Sequence, residues 1–322
     1  MRPINVLNPA TLASAGQCLR HLSAAAGLIA VGVTSLAAAP AATTLTATDV
    51  LAQSAPSDWR PTDPENTLYL ELESGRVVFE LAPEFAPKHV ANLKSLVREK
   101  YFDGLAIVRA AEDYVVEWED SEGKRPVKTA ATTLPPEFAS ASSVGQPFTR
   151  LPDGDVYAPE VGFSGDFPLA RDPKTHQRWL THCYGMLGLG RDNDPTSGFG
   201  GSPFVVIGHT RNLDRNDTLV GRVVHGMELL STLPRGHGPR GFYEKREQHV
   251  PIKAMRVAAD VPPAERTEVE VLRTDTATFQ AYVEARRSPP LGWYVQPAGK
   301  IDVCTVRMAS RLRAAAAATA AK

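Results

Sequence analysis

An arginine stands inside a stretch that otherwise predicts a β-strand, and this makes it a candidate for chemistry. The stretch reads AIVRAA, with Arg109 as its arginine. Because side chains alternate between the two faces of a strand, we expect Ile107 and Ala111 to share the face of Arg109. Val108 and Ala110 should take the other face. A guanidinium stays charged and offers several donors in a fixed fork, so it suits the stabilisation of a lone pair or charge that develops on a substrate.

A plainer role for Arg109 is an ion pair. Three carboxylates follow it closely in the chain, at Glu112, Asp113 and Glu117. Any of them could neutralise the guanidinium and leave it a structural residue. The residues alone do not decide between that role and a catalytic one.

The first 42 residues have the order of a secretory signal. Arg2 and Arg20 precede an apolar run over 22–36, and small residues follow it. The run is shorter than the roughly 20 residues that a helix needs to span a bilayer, so a signal peptide is favoured over an uncleaved anchor. We predict a signal peptide over 1–42 with cleavage between 37 and 53, an exported protein, and no stable membrane insertion.

Loss of the signal would remove Cys18 and leave Cys183 and Cys304. In an exported protein such a pair is a candidate disulfide, and closing a loop of this length adds on the order of 4 kcal/mol in the chain-entropy model. Two buried thiols are the alternative. A metal site with His182 and Cys183 is less favoured because no second Cys or His lies at ligand spacing nearby. We predict no metal and no cofactor.

The charge pattern argues against one class of partner. The 322-residue chain has a formal net charge of -1, with acidic and basic residues intermixed. No basic face suggests nucleic acid. Prolines and glycines cluster after residue 120 and favour long ordered loops over a helical bundle.

The N-terminal half after the signal shows a mixture of irregular and periodic segments. Residues 43–62 are rich in Ala, Thr, Ser and Pro and are predicted to be a linker. Alternating residues then predict a β-hairpin with strands at 68–72 and 77–81. Apolar residues at helical spacing predict an amphipathic helix over 87–100. Residues 121–180 show no sustained period and are predicted to be an insertion.

The rest of the chain alternates short strands with glycine-rich loops. The predicted strands lie at 185–189, 204–207, 219–224 and 252–259, with a short helix at 226–233. Pro262 and Pro263 mark the start of a C-terminal extension over 263–322. We predict that it contains a strand at 269–272, a helix at 276–287, a strand at 301–306 and an alanine-rich tail.

The order of these pieces resembles the cyclophilin family of peptidyl-prolyl isomerases over residues 66–259. The motifs that carry the resemblance are GRVVFEL from Gly75, YFDG from Tyr101 followed by Arg109, GMLGLGR from Gly185, and LVGRVVHGM from Leu219. The resemblance implies a mainly β fold: a closed eight-stranded antiparallel β-barrel with end-capping helices. That domain would span 63–262 and carry the 121–180 insertion.

The resemblance also implies a site. By position Arg109 is the family's essential arginine, and Tyr114 replaces the Phe that floors the proline pocket. Glu117 and Pro203 stand where the family has glutamines, and Val205 stands where it has a second pocket Phe. The full set of implied substrate-binding residues is Tyr114, Glu117, Pro203, Val205, Asn212, Leu213 and Asp217.

Together the residues and the resemblance predict an exported, periplasmic peptidyl-prolyl cis-trans isomerase. It would act as a monomer on the X-Pro bonds of proline-containing polypeptides, with Arg109 stabilising the twisted amide. The alternative is a catalytically weak or inactive peptide-binding or scaffold module, because most polar groove partners are changed. A hydrolase is disfavoured because the run that ends at Ser202 lacks a G-x-S-x-G elbow.

Overall fold

The computed structural model describes residues 45–143, 145–290, 292 and 294–313. The predicted signal peptide over 1–42 and the alanine-rich end of the tail lie outside the described residues and stay predictions. The described residues fall in one compact unit. No helix among them is both long enough and apolar enough to cross a membrane.

The described residues are rich in short strands. Numbered along the chain, the strands are β1 (Trp59–Pro61), β2 (Thr67–Leu72), β3 (Gly75–Leu81), β4 (Ala106–Ala110), β5 (Val115–Glu119), β6 (Ser140–Ala141), β7 (Thr149–Leu151), β8 (Glu160–Ser164), β9 (Phe167–Asp172), β10 (Gln177–Leu180), β11 (Met186–Leu189), β12 (Pro203–Val206), β13 (Thr218–His225), β14 (Val250–Val257), β15 (Val269–Leu272) and β16 (Ser310–Leu312). The α-helices are α1 (Ala47–Ala52), α2 (Pro87–Arg98), α3 (Glu228–Ser231) and α4 (Ala277–Arg287). The predicted hairpin and long helix are confirmed as β2–β3 and α2.

Eight of the strands close into an antiparallel barrel. Their order is β11-β12-β5-β4-β14-β2-β3-β13, and β13 pairs back to β11. Helix α2 begins with Pro87, where a missing N–H is harmless, and the Glu137 carboxylate accepts hydrogen bonds from the next two N–H groups. The buried face of α2 and Leu230 of α3 join the apolar core of the barrel. The predicted mainly β fold with a closed eight-stranded barrel and capping helices is confirmed.

Strand β4 carries a bulge that reverses the face expected for Arg109. Ile107 and Ala110 both lie in the barrel core although they are three positions apart. The register with β5 shifts between Ile107 and Arg109, and Arg109 then stands opposite Glu117. The prediction that Arg109 shares the face of Ile107 is wrong, because strict alternation holds only in a strand without an extra residue.

The insertion contains a five-stranded antiparallel sheet in the order β6-β10-β9-β8-β7. Strands β8 and β9 are joined by Gly165 and Asp166, whose φ angles are 54° and 64°. Two positive φ angles are what a tight hairpin turn requires. Ser164 and Phe167 pair on either side of it. A Gly-Asp pair between two apolar runs is therefore the sequence signal that would have located this hairpin.

The insertion sheet and the C-terminal extension share a second hydrophobic core. The rings of Phe163 in β8 and Phe279 in α4 lie 5.0 Å apart at 76°, which is edge-to-face packing. The side chain of Thr276 accepts a hydrogen bond from the Phe279 N–H and so caps α4 at the predicted position. Strand β15 confirms the strand predicted at 269–272.

The strand predicted over 301–306 is wrong. Apolar residues of this segment are buried in the second core, but the N–H groups of Thr305 and Val306 donate to the carbonyl of Asp302 and close a turn. The alternation of apolar residues here belongs to a folded-back loop. The strand that pairs with β15 on this side is β16, further along the chain.

The linker predicted over 43–62 is wrong in its described part. Helix α1 begins at a capping box in which Thr46 and Asp49 bond each other's backbone N–H groups. Strand β1 pairs with β15, with Trp59 opposite Leu272. The segment is ordered by a partner at the far end of the sequence, which local composition does not reveal.

Cys183 and Cys304 form a disulfide, with Sγ atoms 2.02 Å apart. The bond joins the loop before β11 to the C-terminal extension across a sequence separation of 121. Of the two alternatives left open by the sequence, the structure therefore has the bonded pair.

Candidate active site

A groove of about 460 Å³ opens on the outer side of β4, β5 and β12. It brings together Arg109, Tyr114, Glu117, Leu213 and Asp217 of the predicted site. These residues come from β4, the β4–β5 turn, β5 and the loop between β12 and β13, and the pairing of β5 with both β4 and β12 brings them together.

Arg109 is held at the groove by four contacts. Its Nη1 donates to Glu117 Oε2 at 2.8 Å and its Nε donates to the carbonyl of Arg240 at 2.8 Å. The guanidinium carbon lies 5.1 Å from the ring centres of both Tyr114 and Phe242, within cation–π range. The side chain is 14% exposed. Both sequence interpretations of Arg109 therefore apply: it faces an open groove, and it pairs with Glu117.

The loop over 234–249 fixes the guanidinium from the far side. Backbone N–H groups of Gly236 and Tyr243 donate to the carbonyls of Ala110 and Val108, so the loop runs along β4. Gly241 has a φ of +84°, and a Cβ there would lie 2.6 Å from the Cβ of Ala111. Only glycine permits this close approach, and the approach presents the Arg240 carbonyl to Arg109.

Glu117 is a buried carboxylate whose charge is only partly compensated. Burial raises its pKa above the ordinary value, Arg109 opposes that rise, and Glu119 adds to it. The side chain is 11% exposed. Burial also raises the pKa of Tyr114, whose ring floors the groove. A carboxylate whose ionisation burial disfavours therefore lies against the candidate catalytic arginine.

Asp217 forms part of the opposite wall. Burial raises its pKa, and the nearest cation is Arg191, whose Nε lies 3.5 Å from Asp217 Oδ1. Leu213 of the same loop is half-buried and supplies apolar surface. The groove thus combines aromatic and apolar walls with two carboxylates of raised pKa.

Two of the predicted groove residues lie on the wrong face of β12. Phe204 stands opposite Glu117 and lines the groove. Val205 stands opposite Val116 and is completely buried in the barrel core. Pro203 alternates with Phe204 and is buried as well. The predictions that Val205 and Pro203 line the groove are wrong, because a shift of one residue moves a side chain to the other face of a strand.

Phe204 reaches the groove because the neighbouring strand leaves room for its ring. A Cβ at Gly188 in β11 would lie 2.3 Å from the Phe204 ring. The aromatic wall that Val205 was expected to lack is therefore present, supplied from the preceding position.

Asn212 does not line the groove. It lies in a short 3-10 turn, Arg211–Leu213, with its side chain exposed to solvent. The turn directs Leu213 to the groove instead. The prediction of a substrate-binding role for Asn212 is wrong, because consecutive side chains of a tight turn point in different directions and that of Asn212 points into solvent.

The sequence of residues 67–257 matches the family described as "Cyclophilin type peptidyl-prolyl cis-trans isomerase/CLD". The chain belongs to the cyclophilin family. The match begins at the first residue of β2 and ends at the last residue of β14, so it covers the barrel with its insertion. The family activity, peptidyl-prolyl cis-trans isomerisation, agrees with the prediction made from the motifs.

Individual proteins are similar to this chain over part of its length. A probable peptidyl-prolyl cis-trans isomerase of Brucella suis is 30% identical over 174 residues, which is 54% of this chain and 74% of the relative. Peptidyl-prolyl cis-trans isomerase-like 1 of Homo sapiens is 25% identical over 207 residues, which is 64% of this chain and 96% of the relative. The crystal structure of cyclophilin AquaCyp293 from Hirschia baltica superposes with a TM-score of 0.65 at 25% identity, covering 83% of this chain and 97% of that one.

Behind the cyclophilin groove lies a buried network of charges. The ring of His182 stacks on Phe204 at 6.3 Å and 16°. His182 Nδ1 lies 3.1 Å from Asp214 Oδ1, and Asp214 Oδ2 accepts from Arg211 Nε at 2.6 Å. Arg211 also donates two hydrogen bonds of 2.9 Å to Asp155 in the insertion. The insertion is thus tied to the wall of the groove.

Several groove residues were not predicted from the sequence. They are Phe204, Glu119, Ser202, Arg240 and Phe242. The first three neighbour residues that the motifs point to, so an alternation test on β5 and β12 would have found them. Arg240 and Phe242 carry no local signal, because their loop reaches the groove only through tertiary contacts.

Among the residues the structure describes, no group of three or more His, Cys, Asp or Glu side chains is arranged to hold a metal ion.

Proposed function

We propose that this cyclophilin isomerises X-Pro bonds of exported polypeptides, with Arg109 as the catalytic residue. The observation that carries the proposal is the placement of the Arg109 guanidinium at an open groove, between the rings of Tyr114 and Phe242. Arg109 donates its hydrogen bonds to the described residues through Nε and Nη1. Nη2 is left to donate to a bound peptide.

Rotation of an X-Pro amide requires a donor rather than a nucleophile. The barrier of ~18–20 kcal/mol reflects amide resonance, which is lost in the twisted state. The lone pair of the prolyl nitrogen, which is delocalised in the planar amide, is then localised on the nitrogen and can accept a hydrogen bond. A hydrogen bond from Arg109 to that lone pair would exist only in the twisted state and would lower the barrier by differential binding.

The walls of the groove would hold the proline ring while the amide turns. Tyr114, Phe204 and Leu213 offer aromatic and apolar surface around Arg109. Aromatic side chains contribute large contact areas at fixed geometry. These walls can hold the proline ring while the amide is planar, without a hydrogen bond to its nitrogen. The hydrogen bond from Arg109 would then form only when the amide is twisted.

Two observations support action on exported polypeptides. The first 42 residues have the pattern of a secretory signal. Cys183 and Cys304 are bonded, and structural disulfides persist in oxidising compartments such as the periplasm. Slow X-Pro isomerisation limits folding there as elsewhere.

A second candidate function, peptide binding with slow turnover, is favoured by one contact. Glu117 neutralises Arg109 at 2.8 Å, and an ionised carboxylate cannot donate a hydrogen bond to a peptide carbonyl. The negative charge of Glu117 would weaken the electrostatic field of Arg109 at the prolyl nitrogen. We expect turnover to be slower than in a groove whose arginine has an uncharged partner.

The proposal is tested by measuring cis-trans exchange of an Ala-Pro peptide by NMR with wild type and Arg109→Ala. We expect the variant to lose about 10²-fold or more in kcat/KM, as when one stabilising donor is removed from other active sites. Arg98→Ala is the matched control, because Arg98 is an arginine on the outer side of α2 whose partners are Glu65 and Asp260.

A wild-type rate no higher than the uncatalysed rate would exclude the isomerase and leave the peptide-binding module. An equally fast Arg109→Ala variant would keep the isomerase and exclude the arginine mechanism. Circular dichroism of both variants separates loss of chemistry from loss of fold.

A further inference from the structure

Glu119 is a carboxylate of the groove that forms no ion pair with a described residue. Glu119 lies two positions after Glu117 on β5, so the two side chains project from the same face of the strand. Glu119 Oε2 accepts a hydrogen bond of 3.0 Å from the Ser202 hydroxyl. None of the ion pairs among the described residues includes Glu119, whereas Glu117 pairs with Arg109 and Asp217 faces Arg191.

Glu119 also stands where the groove meets a second cleft. That cleft has a volume of about 670 Å³, and its lining carries both acidic and basic side chains besides Glu119. The basic side chains have partners of their own: Lys124 and Arg246 pair with Glu122, and Arg125 donates to the carbonyl of Asp103. A peptide that lies in the groove and continues towards this cleft has to pass Glu119. The residue is half-buried, so water screens its charge less than that of a fully exposed carboxylate.

We propose that Glu119 makes this cyclophilin select proline-containing segments that carry Lys or Arg next to the proline. A basic side chain of the peptide would give Glu119 the ion-pair partner that it lacks among the described residues. The Ser202 hydroxyl fixes one carboxylate oxygen and leaves the other to accept from an ammonium or guanidinium. This inference rests on the proposed function, since it names the substrate class of the same groove.

Arg240 is a groove cation without an ion pair among the described residues, and it would oppose this preference. It is exposed, and its guanidinium carbon lies 5.9 Å from the Phe242 ring centre. An exposed charge is screened by salt and steers weakly. The half-buried Glu119 should therefore dominate the choice of the flanking residue.

The test uses two sets of short peptides with Lys, Ala or Glu immediately before or immediately after the proline. The quantity measured is the ratio of kcat/KM for the Lys peptide to that for the Glu peptide, at low and at high salt. We expect a ratio of about five or more in at least one set at low salt, falling as salt is added. Glu119→Gln should bring the ratio near one, and Glu119→Lys should invert it.

Glu73→Gln is the matched control, because Glu73 is an 84% exposed carboxylate on the β2–β3 turn, where it pairs with Lys253. It should keep the wild-type ratio. Inversion by Glu119→Lys separates selection from a structural role, since a loosened groove would weaken all peptides alike.

A wild-type ratio at or below one in both sets, or a ratio that Glu119→Lys leaves unchanged, would overturn the inference while the isomerase stands. If wild type accelerates no peptide, the proposed function fails instead. The inference is then tested by calorimetry, as the ratio of the affinity for the Lys peptide to that for the Glu peptide in wild type and in the same variants.

Discussion

At the scale of the residue, the character of this cyclophilin depends on the pair of Arg109 and Glu117. The arginine that we propose to be catalytic donates to a carboxylate at 2.8 Å, where the family resemblance implies a glutamine. Burial holds the pKa of Glu117 above its ordinary value of 4.5, so the carboxylate is ionised at cost. The strength of the isomerase is therefore adjustable at one position.

Glu117→Gln should raise kcat/KM for an Ala-Pro peptide several-fold. The amide keeps the shape of the side chain, removes the charge that competes for Arg109, and restores a donor to the groove. NMR exchange rates with wild type and variant measure the effect. Glu268→Gln, at an exposed position in the extension, serves as control. An unchanged or lower rate would show that the ion pair assists catalysis.

The pH dependence of the wild type should follow the same group. The folded-state pKa of Glu117 is raised, so the protonated form is populated as the pH falls through a window that begins above 4.5. Protonation releases Arg109, and kcat/KM should rise towards acid. Stability shifts in the same sense, because a raised folded pKa lends stability at low pH that is lost as the pH rises through it. Glu117→Gln should lose this rise and keep only the pH dependence of Asp217, whose pKa is also raised. A wild-type profile that falls towards acid would contradict the assignment.

At the scale of the element, a shift of one residue decides which side chains form the groove. The bulge in β4 turns Arg109 outward, and the register of β12 places Phe204 rather than Val205 in the groove. Both effects leave the sequence motifs intact. A pattern therefore locates these strands well but assigns their faces poorly.

Paired substitutions in β12 test that assignment. Phe204→Ala should lower kcat/KM because it removes an aromatic wall, and it should also lower the free energy of unfolding because Phe204 is 4% exposed and packs in the second core. Val205→Ala should lower the free energy of unfolding by about 2 kcal/mol, as expected for truncation in a packed core, and leave kcat/KM and KM nearly unchanged. Denaturant titration and peptide kinetics on the two variants provide the comparison. The opposite pattern would restore Val205 to the groove.

The turn that carries Leu213 depends on a buried ion network. Arg211 has no exposed side-chain surface, and its partners Asp155 and Asp214 are 1% and 6% exposed. Arg211→Ala would remove the cation shared by two buried carboxylates and leave Asp214 with its His182 contacts alone, so it should cost about 3–5 kcal/mol of unfolding free energy. Lys253→Ala, which breaks an exposed pair with Glu73, should cost less than about 1 kcal/mol. Equal losses would mean that the network contributes no more than a surface pair.

At the scale of the whole molecule, the insertion and the extension form one structure outside the barrel. The Phe163 and Phe279 rings pack together, β15 and β16 join β1, and the disulfide fastens the extension to the loop before β11. Neither segment has this core by itself. We expect the two parts to unfold together.

Reduction of the disulfide should destabilise this outer structure. For a separation of 121 residues the chain-entropy model predicts a loss of about 4–5 kcal/mol. Unfolding midpoints with and without reductant, and of Cys183→Ser and Cys304→Ser singly and together, measure it. The double variant should match either single one. Non-reduced peptide mass spectrometry that finds both thiols free would contradict the pairing.

The sequence by itself determined the parts of this protein whose signals are local. The hairpin β2–β3, helix α2, strands β14 and β15 and the capped helix α4 follow from periodicity, turn residues and caps within a few positions. The ordered motifs determined the family, and with it the barrel and the position of Arg109. Such features need no knowledge of what packs on them.

Only the tertiary structure decided which faces and partners the chain uses. The outward turn of Arg109, its pairing with Glu117, the exchange of Val205 for Phe204 and the support from Arg240 all depend on register or on segments remote in sequence. The same holds for β1, which is ordered by β15. Strand partners and bulges depend on the packing energy of the whole barrel, and no short stretch of sequence determines that energy.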